Sequence, residues 1–288
     1  MFYFLSLLTG IIISVMLAFN GMLTEQYGLY SATVIIHIVG LLFIIIMAVL
    51  RRDKLFPKRQ AWYLYLGGAI GVMTTVFNNF AFSRISVSSI LALGLFGQSI
   101  TGIIIDQYGI LGMPKYTFRK SKIIGLILIL CGIVYMTDNF DVLAVLFSFI
   151  AGINIVVSRT FNAKLAEQTS VSTGTFYNYL VGLLIAVPVC FILGRSEAAF
   201  AGFAFSPRIY IYLGGMVGVC VVILSNITVT KVSAFYLSLF LFIGQVFSGI
   251  LVDVILSQSF SVRNMAGGFL VALGLCINLL LDRKMPRA

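Results

Sequence analysis

The sequence predicts an all-α integral membrane protein with ten transmembrane helices arranged as two inverted five-helix repeats. Three observations predict it: the composition, ten long apolar stretches, and an internal repeat whose two copies carry opposite charge patterns. Hydrophobic residues make up 60% of the 288 positions and charged residues only 10%, against about 25% charged in a soluble domain. With a mean hydropathy of +1.09, there are too few charges to coat a water-facing surface.

The remaining composition narrows the class. The net charge of +10 comes from basic residues in short segments between apolar stretches. Such residues act as anchors beside an anionic leaflet rather than as a nucleic-acid footprint. Cys131, Cys190, Cys220 and Cys276 all sit in apolar runs. None has metal-ligand spacing, so neither a metal nor a cofactor is expected. Met1-Phe2-Tyr3-Phe4 lacks a basic n-region and reads as the start of an uncleaved first span.

The ten spans are expected at 2–23, 31–50, 61–82, 87–105, 123–137, 142–161, 173–193, 209–230, 235–256 and 265–281. Each is long and continuous, without the period-two alternation of a barrel strand, so each reads as helix. Ten spans put both termini on one side. That side collects fifteen Lys and Arg, among them Arg51, Arg52, Lys54, Lys115, Lys120, Lys231 and Arg287. The other side has only Arg84, Arg195, Arg208 and Arg263. The bias places both termini in the cytoplasm of a multi-pass protein of the cytoplasmic (inner) membrane.

The repeat is explicit. Phe19-Asn20-Gly21-Met22-Leu23-Thr24-Glu25-Gln26 returns as Phe161-Asn162-Ala163-Lys164-Leu165-Ala166-Glu167-Gln168, and Val39-Gly40-Leu41-Leu42 as Val181-Gly182-Leu183-Leu184, both at an offset of 142. Tyr63-Leu64-Tyr65-Leu66-Gly67-Gly68 returns as Tyr210-Ile211-Tyr212-Leu213-Gly214-Gly215. Gly97-Gln98, Gly102 and Asp106 return as Gly244-Gln245, Gly249 and Asp253, while Gly125 and Gly132 return as Gly267 and Gly274. Residues 1–140 thus form one five-helix repeat and 141–288 a second. An odd number of spans forces opposite orientations. The loops agree: nine basic residues fall in the second and fourth loops of the first half, three in those of the second. Inverted repeats of this kind are a transporter architecture.

Two five-span halves in about 290 residues resemble the drug/metabolite transporter (DMT) superfamily. An Asn closing the first helix (Asn20, Asn162) and a Gly-Gln…Asp pattern in the fourth (Gly97-Gln98…Asp106, Gly244-Gln245…Asp253) resemble its YdcZ-like branch. The stretch Asp106-Gln107-Tyr108-Gly109-Ile110-Leu111-Gly112 is especially similar, whereas the second half departs there with Asp253-Val254-Ile255-Leu256. The resemblance implies a bacterial inner-membrane carrier, an exporter.

Candidate site residues follow from polarity inside the spans. Gln98 lies about eleven residues into the fourth span, roughly 16 Å deep in a core about 30 Å thick. Thr101 follows at i+3, and the second half repeats the pair as Gln245 and Ser248. A buried amide needs hydrogen-bond partners that lipid does not offer, so these four are expected at a substrate site, with Asn20, Asn162 and the lone His37 as companions. Glu25, Asp106, Glu167 and Asp253 fall at helix ends, one Glu and one Asp at each mouth, where they serve as gates or coupling-ion stations or as caps. Arg159, one turn before Asn162, faces an anionic substrate or reaches for lipid phosphates. Gly67-x-x-x-Gly71 and Gly214-x-x-x-Gly218 read as close-packing faces.

The expected function is a secondary transporter of a small metabolite or drug-like molecule working by alternating access, with a proton or another ion as coupling partner. The alternative is a non-transporting membrane scaffold or receptor. No Gly-x-x-x-x-Gly-Lys-Ser/Thr pattern occurs. One histidine without a mid-span acid argues against an intramembrane enzyme.

Overall fold

The structure, a computed structural model, describes residues 2–56, 59–109, 122–136, 141–197, 204–228, 231, 234–257 and 261–283; within these, the side chains of residues 106, 122, 234–236, 238, 239, 257, 278, 279 and 281–283 are not described. The loop carrying Lys115 and Lys120, and Arg287, lie outside the described residues.

Among the described residues ten α-helices appear in the expected order: α1 (Phe2–Tyr27), α2 (Leu29–Arg51), α3 (Leu66–Phe82), α4 (Val87–Tyr108), α5 (Lys122–Met136), α6 (Val142–Gln168), α7 (Val171–Leu193), α8 (Gly214–Thr228), α9 (Ala234–Ser257) and α10 (Val262–Arg283). Six of these spans are long and apolar enough to cross a membrane, with α8 counted together with the turn before it, and three shorter stretches, in α5, α9 and α10, are strongly apolar too. Large hydrophobics such as Leu42, Leu50, Ile127, Leu184 and Ile192 face outward, while Asn20, His37, Gln98, Asn162 and Gln245 are buried. This inside-out distribution is what lipid demands.

Helix ends differ from the expected boundaries in instructive ways. α1 runs about one turn further and α6 about two, so Glu25 and Glu167 lie within helix rather than after it. The third and eighth spans begin as 3₁₀ turns, Trp62–Tyr65 and Ile209–Leu213, and become α-helical at Leu66 and Gly214. Gly28 has a φ of 93°, a conformation glycine tolerates without steric cost, and so one residue links α1 to α2. Ser86, Asp141 and Ser170 cap α4, α6 and α7, accepting from the backbone N–H groups of Ser89, Ala144 and Thr173.

The two halves interpenetrate. α1 packs on α8 and α9 of the second half, and α6 packs on α3 and α4 of the first. Glycines make these contacts close. A Cβ on Gly10 would strike Leu241 O and Gly244 Cα; at the equivalent Gly152 it would strike Gly94. Gly97 is set against Phe149 and Gly152, as Gly244 is against Leu7 and Gly10. α5 and α10 also pair, Gly125 lying against Gly274 and Gly132 against Gly267. As one number rises the other falls, so these equivalent helices are antiparallel.

α2 and α7 are antiparallel as well. Just past the end of α2, Asp53 accepts from Ser172 Oγ and the Lys54 carbonyl accepts from Thr173 Oγ1 at 2.9 Å, at the start of α7. Just past the end of α7, Glu197 accepts from the backbone N–H groups of Tyr30 and Ser31, each at 2.8 Å, at the start of α2. Each half therefore holds the start of the other's second helix, the second half by capping α2 and the first by binding side-chain hydroxyls of α7.

Candidate functional site

α1, α2 and α3 of the first half meet their equivalents α6, α7 and α8 around a cavity of about 150 Å³. The described residues of α4, α5, α9 and α10 contribute nothing to its lining; these helices share an apolar core that includes Ile90, Ile129, Phe242 and Val271.

The repeat builds the cavity wall in pairs. Asn20 and Asn162 each place Oδ1 where a Cβ on Gly214 or Gly67 would stand. Only glycine at the start of α8 and α3 leaves room for these amides. His37 and Tyr179 form the next pair, with ring centroids 5.8 Å apart. The His37 ring lies against Gly182 and the Tyr179 ring against Gly40, so the repeated Val-Gly-Leu-Leu segments receive each other's aromatic ring. Gly71 and Gly218 form a third pair on the lining. They differ in room: the nearest atom to a Cβ on Gly71 would be Asn178 Oδ1 at 3.5 Å, whereas a Cβ on Gly218 would strike the Tyr179 hydroxyl. The contact glycines are the tandem Gly67-Gly68 and Gly214-Gly215, Gly68 lying on the Asn178 carbonyl and Gly215 on the Ile36 carbonyl.

Chemistry departs from symmetry where the lining residues differ. Asn162 Nδ2 donates to Asn178 Oδ1 at 2.8 Å and, at 3.4 Å, to Ser158 Oγ, whose hydroxyl donates to the Gly67 carbonyl at 2.7 Å. Opposite, the equivalents of Asn178 and Ser158 are Ile36 and Met16, which offer no such partners. Asn20 Oδ1 is buried without a hydrogen bond, and both amide atoms of Asn226, also on the lining, are in the same state. Unmet buried amides cost about 1–3 kcal/mol each, which a polar occupant would offset. His37 Nδ1 lies 2.8 Å from the Thr33 carbonyl, so Nδ1 carries the proton and Nε2 is left as an acceptor. The Tyr179 hydroxyl donates to the Gly215 carbonyl at 3.3 Å. Among the described residues, Arg159 supplies the one charged side chain on the lining.

Of the site residues expected from sequence, Asn20, His37, Arg159 and Asn162 converge here. Gln98 and Gln245 are buried on α4 and α9 but are not on this lining, and neither are Thr101 and Ser248. The Thr101 hydroxyl donates to the Gly97 carbonyl within its own helix at 2.8 Å. Glu25 and Glu167 are exposed at the ends of α1 and α6. Asp253 accepts from the backbone N–H groups of Val87 at 2.7 Å and Ser88 at 3.0 Å, capping α4 from α9. The Asp106 side chain lies outside the described residues. Sequence reasoning missed Ser158, Asn178 and Asn226. Their signal was present: each is a polar residue inside an apolar run, and Asn226 repeats Asn79 at the offset of 147.

A family model described as "Putative inner membrane exporter, YdcZ" matches residues 1–135 and again 143–277. The chain therefore belongs to the YdcZ family of the drug/metabolite transporter superfamily, whose members are described as inner-membrane exporters. Both matches agree with the repeat read from sequence. Among solved structures, one titled only as the crystal structure of a protein is similar at a TM-score of 0.69 and 16% identity, covering 98% of each chain; that likeness shows the fold alone. A search of curated proteins gives no match.

Proposed function

We propose that this protein is a secondary transporter that exports a small metabolite by alternating access, with the cavity between α1–α3 and α6–α8 as its transport site. The observation that carries the reading is the cavity itself. It lies where equivalent helices of both halves meet, it is walled by repeat-related pairs, and it leaves Asn20 and Asn226 with unmet hydrogen-bonding capacity. Carriers built from inverted repeats bind substrate at the repeat interface. A scaffold or receptor would gain nothing from unpaired amides around an internal cavity.

The two-half organisation, residues 1–140 and 141–288 in opposite orientation with both termini cytoplasmic, is part of the proposal; the antiparallel pairing of α2 with α7 and of α5 with α10 supports it. The buried Gln98 and Gln245 are proposed as a second polar station in the α4–α9 seam rather than part of the cavity. A proton is the proposed coupling ion, His37 being the one histidine of the chain and lying on the cavity wall.

The test is counterflow of a radiolabelled metabolite panel in proteoliposomes, with and without a pH gradient. The reading expects saturable counterflow that Asn162→Ala reduces at least tenfold while Gln98→Ala and Gln245→Ala retain most of it. Flux untouched by Asn162→Ala and abolished by the glutamine variants would move the site to α4 and α9.

A further inference from the structure

We propose that the cavity selects a small organic monoanion, with Arg159 binding its carboxylate. This rests on reading the cavity as the transport site.

Arg159 is not there for the fold. Its equivalent in the first half is Leu17, only 2% exposed in the apolar core, so the same place in the architecture is filled by an ordinary aliphatic side chain. The guanidinium stays charged in a protein interior. Among the described residues no carboxylate neutralises it. Glu25 and Glu167 are exposed, Asp53 and Glu197 are engaged at the starts of α7 and α2, Asp253 caps α4, and Asp141 pairs with Arg84 at 3.3 Å while capping α6. None of these acids lies on the lining. An uncompensated cation on a protein cavity wall is costly, and a bound carboxylate would reduce that cost through a paired, two-toothed contact that guanidinium geometry favours.

The other lining groups restrict the ligand further. The open amides of Asn20 and Asn226 are neutral, suited to a hydroxyl, carbonyl or amine but unable to balance a second charge. Among the described residues cations have no acid on the lining to meet, and they face Arg159 directly. The volume of about 150 Å³ is that of a cavity that admits benzene, so the ligand is small in this conformation. A short hydroxy, oxo or amino acid has the required size and charge.

The field in the cavity can be read without knowing the ligand. Ser225 lines the cavity and is 7% exposed. The full chain carrying Ser225→Cys, purified in detergent, is treated with three methanethiosulfonates: the uncharged methyl, the anionic sulfonatoethyl and the cationic trimethylammonioethyl reagents. Each rate is divided by that for free 2-mercaptoethanol, and the chain without Ser225→Cys serves as blank. The expected result is an anionic-over-cationic preference on the order of tenfold, lost in Arg159→Gln and kept in Arg159→Lys. Reaction with the uncharged reagent but no anionic preference, or a preference unchanged by Arg159→Gln, would overturn the monoanion assignment and leave the transport site standing. Failure of even the uncharged reagent to reach the thiol would overturn the transport-site reading and the monoanion with it.

Discussion

Gly215 and Gly102 are both helical glycines, yet an added methyl group should act on them in opposite directions. At Gly215 a Cβ would press on the Ile36 carbonyl and the Gly40 amide, which are backbone atoms that cannot rotate away. Gly215→Ala should therefore lower stability by about 1–3 kcal/mol, as overpacking does. At Gly102 nothing lies within 4 Å, and replacing an unneeded helical glycine by alanine should gain about 0.5–1 kcal/mol. Thermal unfolding in detergent reads both signs; equal effects would mean the α2–α8 contact is looser than described. The same scale explains which site residues the sequence made legible. Asn20 and Asn162 stood out because they recur in a shared motif, and His37 because it is unique. Asn178 and Asn226 were harder to see because their importance lies in what faces them across helices, a relation that a linear offset of 142 or 147 does not encode. Gln98 and Gln245 recur as clearly as the asparagines, but recurrence cannot tell a cavity wall from a helix seam.

Helices were legible throughout, and their ends less so. Apolar length gives away a span in lipid, because every backbone group must be satisfied within it. The ends are set by partners distant in sequence. α4 begins where Asp253 of α9 receives the Val87 and Ser88 N–H groups, and α2 begins where Glu197 receives those of Tyr30 and Ser31. Asp253→Ala and Glu197→Ala should each cost about 1–2 kcal/mol through lost capping and lost charge at a helix N-terminus. The Asp253→Asn variant separates cap from coupling station. If Asp253 acts as a cap, the amide retains an acceptor oxygen, stability falls by less than in the alanine variant, and transport keeps its pH profile. If Asp253 carries a coupling proton, Asp253→Asn would flatten the pH dependence of counterflow with little change in melting temperature.

The whole molecule turns on the relation between its halves. Lys54 follows α2 and Arg195 follows α7, and these helices are equivalent in the repeat. If the halves had the same orientation, both positions would open to one side of the membrane. The contacts argue otherwise: the Lys54 carbonyl holds Thr173 at the start of α7, while Glu197, just beyond Arg195, holds Tyr30 and Ser31 at the start of α2. The two positions therefore sit at opposite ends of one antiparallel pair. Charge predicts the sign. Arg51, Arg52 and Lys54 cluster at the Lys54 end, so the positive-inside rule predicts that end in the cytoplasm and Arg195 outside, as in the proposed orientation. A membrane-impermeant maleimide applied to intact cells should label Arg195→Cys and leave Lys54→Cys unlabelled, and inverted vesicles should reverse the pattern. Labelling of both from the same face would dissolve the inverted relation and with it the pairing of Asn20 with Asn162 across the cavity. Reversed labelling at both positions would keep the inverted repeat and turn the whole molecule over in the membrane. If transport proceeds by the proposed alternating access, which exchanges the roles of the two halves, Asn20 and Asn162 offer a second readout: a transported ligand should change the labelling rates of Asn20→Cys and Asn162→Cys in opposite directions.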